Sequence, residues 1–283
     1  MTMNPLISAD ALRARLAGSQ PPVVLDAGFD LADAQAGRRD FEAAHLPGAQ
    51  HADLDADLCG AKTGRNGRHP LPDREAFATT VGRWGVTPAT PVVVHDRQGG
   101  AFAARLWWML RWIGHADVHL LDGGFAAWLA AGGATEAGAV APRGGSRYPL
   151  GAPLVATVPA DTLLARLDDA TLRLVDARAP ERFRGDVEPL DPVAGHIPGA
   201  VNRFFKDNLD ADGRFKPASR LRAEFAALLG AHAPDTVVHQ CGSGVTACHN
   251  LLAMEIAGLP GSALYPGSWS EWCADPARPV ARG

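Results

Sequence analysis

Of the four cysteines, at 59, 241, 248 and 273, Cys241 stands in the setting that suits sulfur chemistry. The run PDTVVHQ (234–240) is short and β-branched, as a buried strand would be, and CGSGVT (241–246) follows it directly. Helical periodicity then begins near Val245. A cysteine at the C-terminal end of a parallel strand lies where open α/β sheets bind their ligands. Gly242 and Gly244 let the loop curl, so that N–H groups of Gly242, Ser243, Gly244, Val245 and Thr246 can converge on one anion, and the helix adds its positive end. Both features favour negative charge at the Cys241 sulfur, whether as thiolate nucleophile or beside a bound anion. The competing reading is a small hydrophobe buried at a strand end, which is the usual fate of an unpaired cysteine. Cys248 shares a helical face with Val245, Leu252 and Ile256 and reads as core, while Cys59 and Cys273 read as incidental. No paired cysteine spacing suggests a disulfide framework or a zinc site, so no metal is expected and a reduced, cytoplasmic setting fits.

The elements that must position this loop occur twice. VVLDAG (23–28) matches LVDARA (174–179), HLPGA (45–49) matches HIPGA (196–200), VVVHD (92–96) matches TVVHQ (236–240), and LLDGGFAAW (120–128) matches ALYPGSWSEW (263–272), in the same order. Aligning His95 with His239 places Arg97 at the position of Cys241, which makes the first copy silent. Each copy alternates β-branched runs with helical periodicity, which predicts an α/β fold: a parallel sheet with helices on both faces. The expected organisation is a first domain at 1–137, a Pro- and Gly-rich linker at 138–153, and a second domain at 154–283. His45 and His95 are 50 residues apart and His196 and His239 are 43 apart, so the first copy carries about seven extra residues, assigned to CGAKTGRNGRHPLP (59–72).

Composition excludes several classes. The 283 residues are 47% hydrophobic and 20% charged with a formal net charge of −4, which gives no reason to expect a nucleic-acid partner. The first 19 residues lack the apolar core of a signal peptide, and AFAARLWWMLRWI (101–113) is too short and too charged to span a bilayer, so no membrane partner is expected.

CGSGVT, the paired H-[LI]-PGA motifs, the two Trp-terminated motifs and the tandem layout resemble the two-domain rhodanese family over essentially the whole chain. Within it the CGSGVT loop is similar to that of the branch that uses 3-mercaptopyruvate, whereas members specific for thiosulfate carry two basic residues after the cysteine. The resemblance implies two rhodanese-like domains, a catalytic cleft between them, and a ping-pong sulfurtransferase without metal or organic cofactor. Its donor would be a small anion, its intermediate a Cys241 persulfide, and its acceptor cyanide or a thiol such as thioredoxin. It further implies that Arg182 in ERFRG binds the donor's carboxylate, and that Asp55 and His69 line up with Ser243 as catalytic partners. In one respect the chain departs from the pattern: the second arginine expected before GHIPGA is Leu190, so that half of the expected carboxylate clamp is missing or another basic residue, such as Arg203 or Lys206, supplies it. A cysteine phosphatase on a related fold would need an arginine where this chain has Ala247, and a non-catalytic rhodanese-like module would not need Cys241.

Overall fold

The computed structural model describes residues 4–283, and the chain forms two compact units that are not contiguous in sequence. The first comprises residues up to Cys59, Pro72–Leu154 and Ala211–Phe215; the second comprises Gly60–Leu71, Val155–Asp210 and Lys216–Gly283. Residues 138–153 run without regular structure along the first unit, with Gly138 N–H on Glu42 O (2.7 Å), Tyr148 N–H on Ala78 O (3.0 Å) and Gly151 N–H on Ile113 O (2.9 Å).

In the first unit the strands are β1 (Leu6–Ile7), β2 (Val23–Asp26), β3 (Gln50–His51), β4 (Val92–His95) and β5 (Val118–Leu121), in the order β1-β5-β4-β2-β3. Its helices are α1 (Ala9–Leu16), α2 (Ala36–Ala43), α3 (Arg74–Arg83), α4 (Ala103–Trp112) and α5 (Gly124–Ala130). The second unit repeats this with β6 (Ala156–Thr157), β7 (Arg173–Asp176), β8 (Val201–Asn202), β9 (Val237–Gln240) and β10 (Ala263–Leu264), in the order β6-β10-β9-β7-β8. Its helices are α6 (Ala160–Leu164), α7 (Pro180–Arg184), α8 (Ala218–Leu229), α9 (Ala247–Ile256) and α10 (Ser268–Trp272).

All pairings between these strands are parallel. In each sheet the connections first run toward one edge and then reverse, and right-handed crossovers in opposite directions place helices on opposite faces. The reversal falls between β7 and β9 in the second unit, so the ends of those two strands diverge and open the crevice in which such sheets bind ligands.

The strand registers correct one alignment made from sequence. β2 pairs Asp26 with His95, and β7 pairs Asp176 with Gln240. His95 therefore corresponds to Gln240 rather than to His239, and the counterpart of Cys241 is Asp96, one residue before Arg97. The spacing from His45 to His95 is 50 and from His196 to Gln240 is 44, so the insertion before α3 is six residues, not seven.

The helix after the cysteine loop also differs from its expected form. It starts at Ala247 instead of near Val245, and every residue from Ala247 to Met254 is buried, not one face alone, while Ile256 is half-buried. No helix among the described residues is long and apolar enough to cross a membrane.

Candidate active site

Cys241 leaves β9 at the opened end of the second sheet and is 2% exposed. Its loop is tied at several points to the start of α10. Cys241 N–H donates to Ser268 Oγ (3.1 Å), whose hydroxyl donates to Tyr265 O (2.9 Å). Cys241 O accepts from Trp269 N–H (3.0 Å), and Gly242 O accepts from Ser270 N–H (2.9 Å). These bonds give the PGSWSEW motif a structural purpose: it clamps the Cys241 loop. Ser268, at φ 53°, is the one non-glycine residue with positive φ among the described residues, a conformation that costs free energy and places its Oγ against the Cys241 amide. The first unit has Gly124 at this position, with φ 56°. Gly244 is required twice over, since its φ is 77° and a Cβ there would stand 2.1 Å from Pro266 O.

Residues 60–71 form an arm of the second unit. Gly60 N–H donates to Pro70 O (2.9 Å) at its base, and Asn66 folds its tip by accepting from Thr63 N–H (2.9 Å) and donating to Ala61 O (2.9 Å). Gly67, at φ 86°, runs so close to α10 that a Cβ would lie 2.8 Å from Gly267 O. Arg68 N–H donates to Ser270 Oγ (3.0 Å). His69, buried, brings Nδ1 to 2.7 Å from Ser243 Oγ, itself 7% exposed. The arm thus delivers the histidine that the resemblance paired with Ser243. Asp55 belongs to the first unit, in the turn after β3, where its N–H donates to Asp53 Oδ1 (2.9 Å).

Charge surrounds the loop as a chain of alternating signs. Arg178, at the end of β7, is buried over the Trp269 ring at 4.8 Å and grips Asp176 (2.7 Å) and Glu188 (3.3 Å). Burial works against its charge, but Asp176 and then Glu188 outweigh that and hold it firmly protonated. Glu188 accepts from Arg182 Nη2 at 2.6 Å. Burial alone would raise the Glu188 carboxyl; Arg182 and the N–H groups of Leu190 and Asp191 prevail and hold it below the usual carboxylate range. Asp191, its side chain shielded from solvent, lies 3.5 Å from Arg182 Nη2 and pairs with Arg68 Nη1.

Cys241, Gly242, Ser243, Gly244, Val245, Thr246, His69 and Arg182 all therefore lie in the second unit, with Asp55 in the first. Of the two substitutes named for the missing arginine, Arg203 is already engaged elsewhere. Arg203 is committed to Glu224 (2.6 Å) and Asn208 (3.1 Å), and Lys206 is exposed. Leu190 is 44% exposed. Sequence reasoning missed Arg68, Arg178, Asp191 and Ser268. Arg68 had one visible signal, its place next to His69 in the inserted basic stretch.

Three comparisons bear on this geometry. The Rhodanese-like domain family matches residues 8–131 and 159–275. A Pseudomonas aeruginosa protein provisionally named 3-mercaptopyruvate sulfurtransferase is 50% identical over 287 residues, covering the whole of both chains. A Mycobacterium tuberculosis protein provisionally named thiosulfate sulfurtransferase SseB is 41% identical over 98% of this chain and 97% of its own. Among solved structures, SseA from Escherichia coli, a 3-mercaptopyruvate sulfotransferase, matches with a TM-score of 0.81 and 29% identity over 94% of this chain and 99% of that one.

Proposed function

This chain belongs to the rhodanese-like family, and from that premise we propose that it is a sulfurtransferase taking sulfur from 3-mercaptopyruvate through a persulfide on Cys241. The observation that carries the donor is the 2.7 Å hydrogen bond between Ser243 and His69, two residues from the nucleophile. Sulfur leaves 3-mercaptopyruvate from carbon, so a proton source must meet the developing enolate, and a serine–histidine pair can supply it.

In the first half-reaction the Cys241 thiolate attacks the donor's sulfur. The S–S bond forms, the C–S bond breaks, and the electron pair of that bond passes into the enolate of pyruvate. The Ser243 hydroxyl protonates this enolate and is recharged through His69, giving pyruvate and the persulfide. In the second half-reaction an acceptor, cyanide or a thiol such as that of thioredoxin, attacks the outer sulfur and releases the Cys241 thiolate. Arg182 is the proposed partner of the donor's carboxylate, because a guanidinium can bond both oxygens of a planar anion. Asp55 is assigned to the relay on the family pattern alone. The proposed setting is the cytoplasm.

Thiosulfate is the second reading, favoured by the Mycobacterium tuberculosis relative and by the arginines near Gly242, which suit a dianion. Steady-state kinetics with cyanide as acceptor decide between them. The expected result is a kcat/KM for 3-mercaptopyruvate at least about tenfold above that for thiosulfate, roughly 1.4 kcal/mol of transition-state preference. A preference for thiosulfate would overturn the donor and leave sulfur transfer standing.

A further inference from the structure

The gap left by Leu190 has a counterpart in the arm. A Cβ on Gly242 would stand 2.9 Å from Arg68 Nη2 and 3.5 and 3.6 Å from Arg182 Nη1 and Nη2, so two guanidinium groups converge over the residue that follows the nucleophile. Each is held from behind by an acidic side chain. Arg68 Nη1 pairs with Asp191, while Arg182 pairs with Glu188 at 2.6 Å and with Asp191 at 3.5 Å. The Asp191 side chain is shielded from solvent and touches both arginines, so it fixes their separation while leaving the other nitrogen of each directed at the space above Gly242. The Arg68 backbone is anchored as well, through its N–H on Ser270 Oγ and the close approach of Gly67 to Gly267.

We infer that Arg68 is a substrate-binding residue, the second half of a two-arginine clamp on the carboxylate of a 2-oxo-acid sulfur donor, standing in for the arginine that this chain lacks at position 190. The inference rests on the mercaptopyruvate reading above. It makes the inserted arm a specificity element as well as a carrier of His69, and it makes Asp191 the positioning residue of the clamp. A second guanidinium gives the carboxylate two more donors than Arg182 alone can offer, and it does so without a side chain at Gly242.

The test is a rescue. KM and kcat for 3-mercaptopyruvate are measured for wild type, Arg68→Ala, Arg68→Gln, Leu190→Arg and the double variant Arg68→Ala/Leu190→Arg, with thermal unfolding as a check on the arm. Loss of a charge-assisted hydrogen bond should raise KM about tenfold in both single Arg68 variants, with a much smaller change in kcat. Leu190→Arg should return the KM of the double variant to within about threefold of wild type, which mere loosening of the arm would not allow. An unmoved KM in Arg68→Ala, or a loss that Leu190→Arg does not relieve, would overturn the clamp while leaving the donor intact. A wild type that does not turn over 3-mercaptopyruvate would overturn both.

Discussion

The two units end their middle strands with different answers to one electrostatic problem. In the first, the residue after β4 is Asp96, 1% exposed, and its carboxylate turns back into its own loop. Oδ1 accepts from the N–H groups of Gln98 (2.9 Å) and Gly100 (2.8 Å), and Oδ2 from those of Phe102 and Ala103 (2.9 Å each). The start of α4, which has no capping side chain of its own, is thereby satisfied. Arg97 closes the loop from outside, stacked 3.7 Å over Phe125 with Nη2 on Asp40 O (3.0 Å) and Ala44 O. In the second unit the residue at the same register is Cys241, followed by glycines instead of Arg97. At one strand end the fold thus carries a loop wrapped around its own carboxylate, and at the other a cysteine. On the function proposed above, that cysteine is the sulfur that gains and loses a second sulfur.

The sharpest way to break this contrast is at the sulfur. Cys241→Ser should reduce turnover to background with any donor, because an alcohol cannot form the persulfide. Intact-mass analysis of wild type given donor alone should show one added sulfur, mapped to Cys241; the same adduct on Cys59 or Cys248 would sink the assignment. Next comes the relay. Ser243→Ala and His69→Ala should each lower kcat for 3-mercaptopyruvate by roughly 10²-fold or more, with a much smaller effect on thiosulfate, whose sulfite leaves without a proton. Equal losses on both donors would show that the pair serves folding rather than proton transfer.

A third experiment attacks the other side of the comparison. Asp96→Ala strands four N–H groups, three of them buried, and should destabilise the first unit by about 3 kcal/mol in denaturant unfolding, whereas Arg97→Ala should cost clearly less. Asp96→Cys should yield no second persulfide, since the segment that reaches across to the first unit, Ala211–Phe215, carries no counterpart of His69. The smallest effect concerns His239, whose register partner in the first unit is Val94. Burial pushes the His239 imidazole down to about 3. Below the unfolded value near 6.5 the unfolded chain takes up a proton that the folded chain refuses, so stability falls as pH drops from 7 toward 5. His239→Val should flatten that decline by about 1–2 kcal/mol at pH 5; parallel stability curves would mean that the residue titrates normally.

Much of this was open to reading from the chain alone, and the failures have physical causes. The tandem repeat, the parallel sheets and the Cys241 loop follow from β-branched runs, glycine placement and local order, all of which are short-range. The slip that paired His95 with His239 arose because V-V-V-H and V-V-H-Q match equally well by composition when shifted by one residue. Only the long-range pairing with Asp26 and Asp176 settles it. The role of Arg68 escaped notice for a similar reason: beyond its place next to His69, its position is set by a hydrogen bond to Ser270, 202 positions away. Ser268 carries no signal of its own in the sequence, because its importance lies in a backbone angle.

The arm has a further consequence, in time instead of space. Translation delivers residues 60–71 long before Ser243, Gly267 and Ser270 exist, so the arm emerges from the ribosome without the surface it packs on. The first unit waits in turn for Ala211–Phe215, whose Phe215 N–H is held by Asp122 Oδ1 at 2.9 Å. Each half of the nascent chain must therefore keep a segment in reserve for the other, and the arm can dock only once the Cys241 loop and α10 have been made. The order of the arm thus depends on a partner made 202 positions later, so an incomplete chain holds His69 without Ser243 beside it.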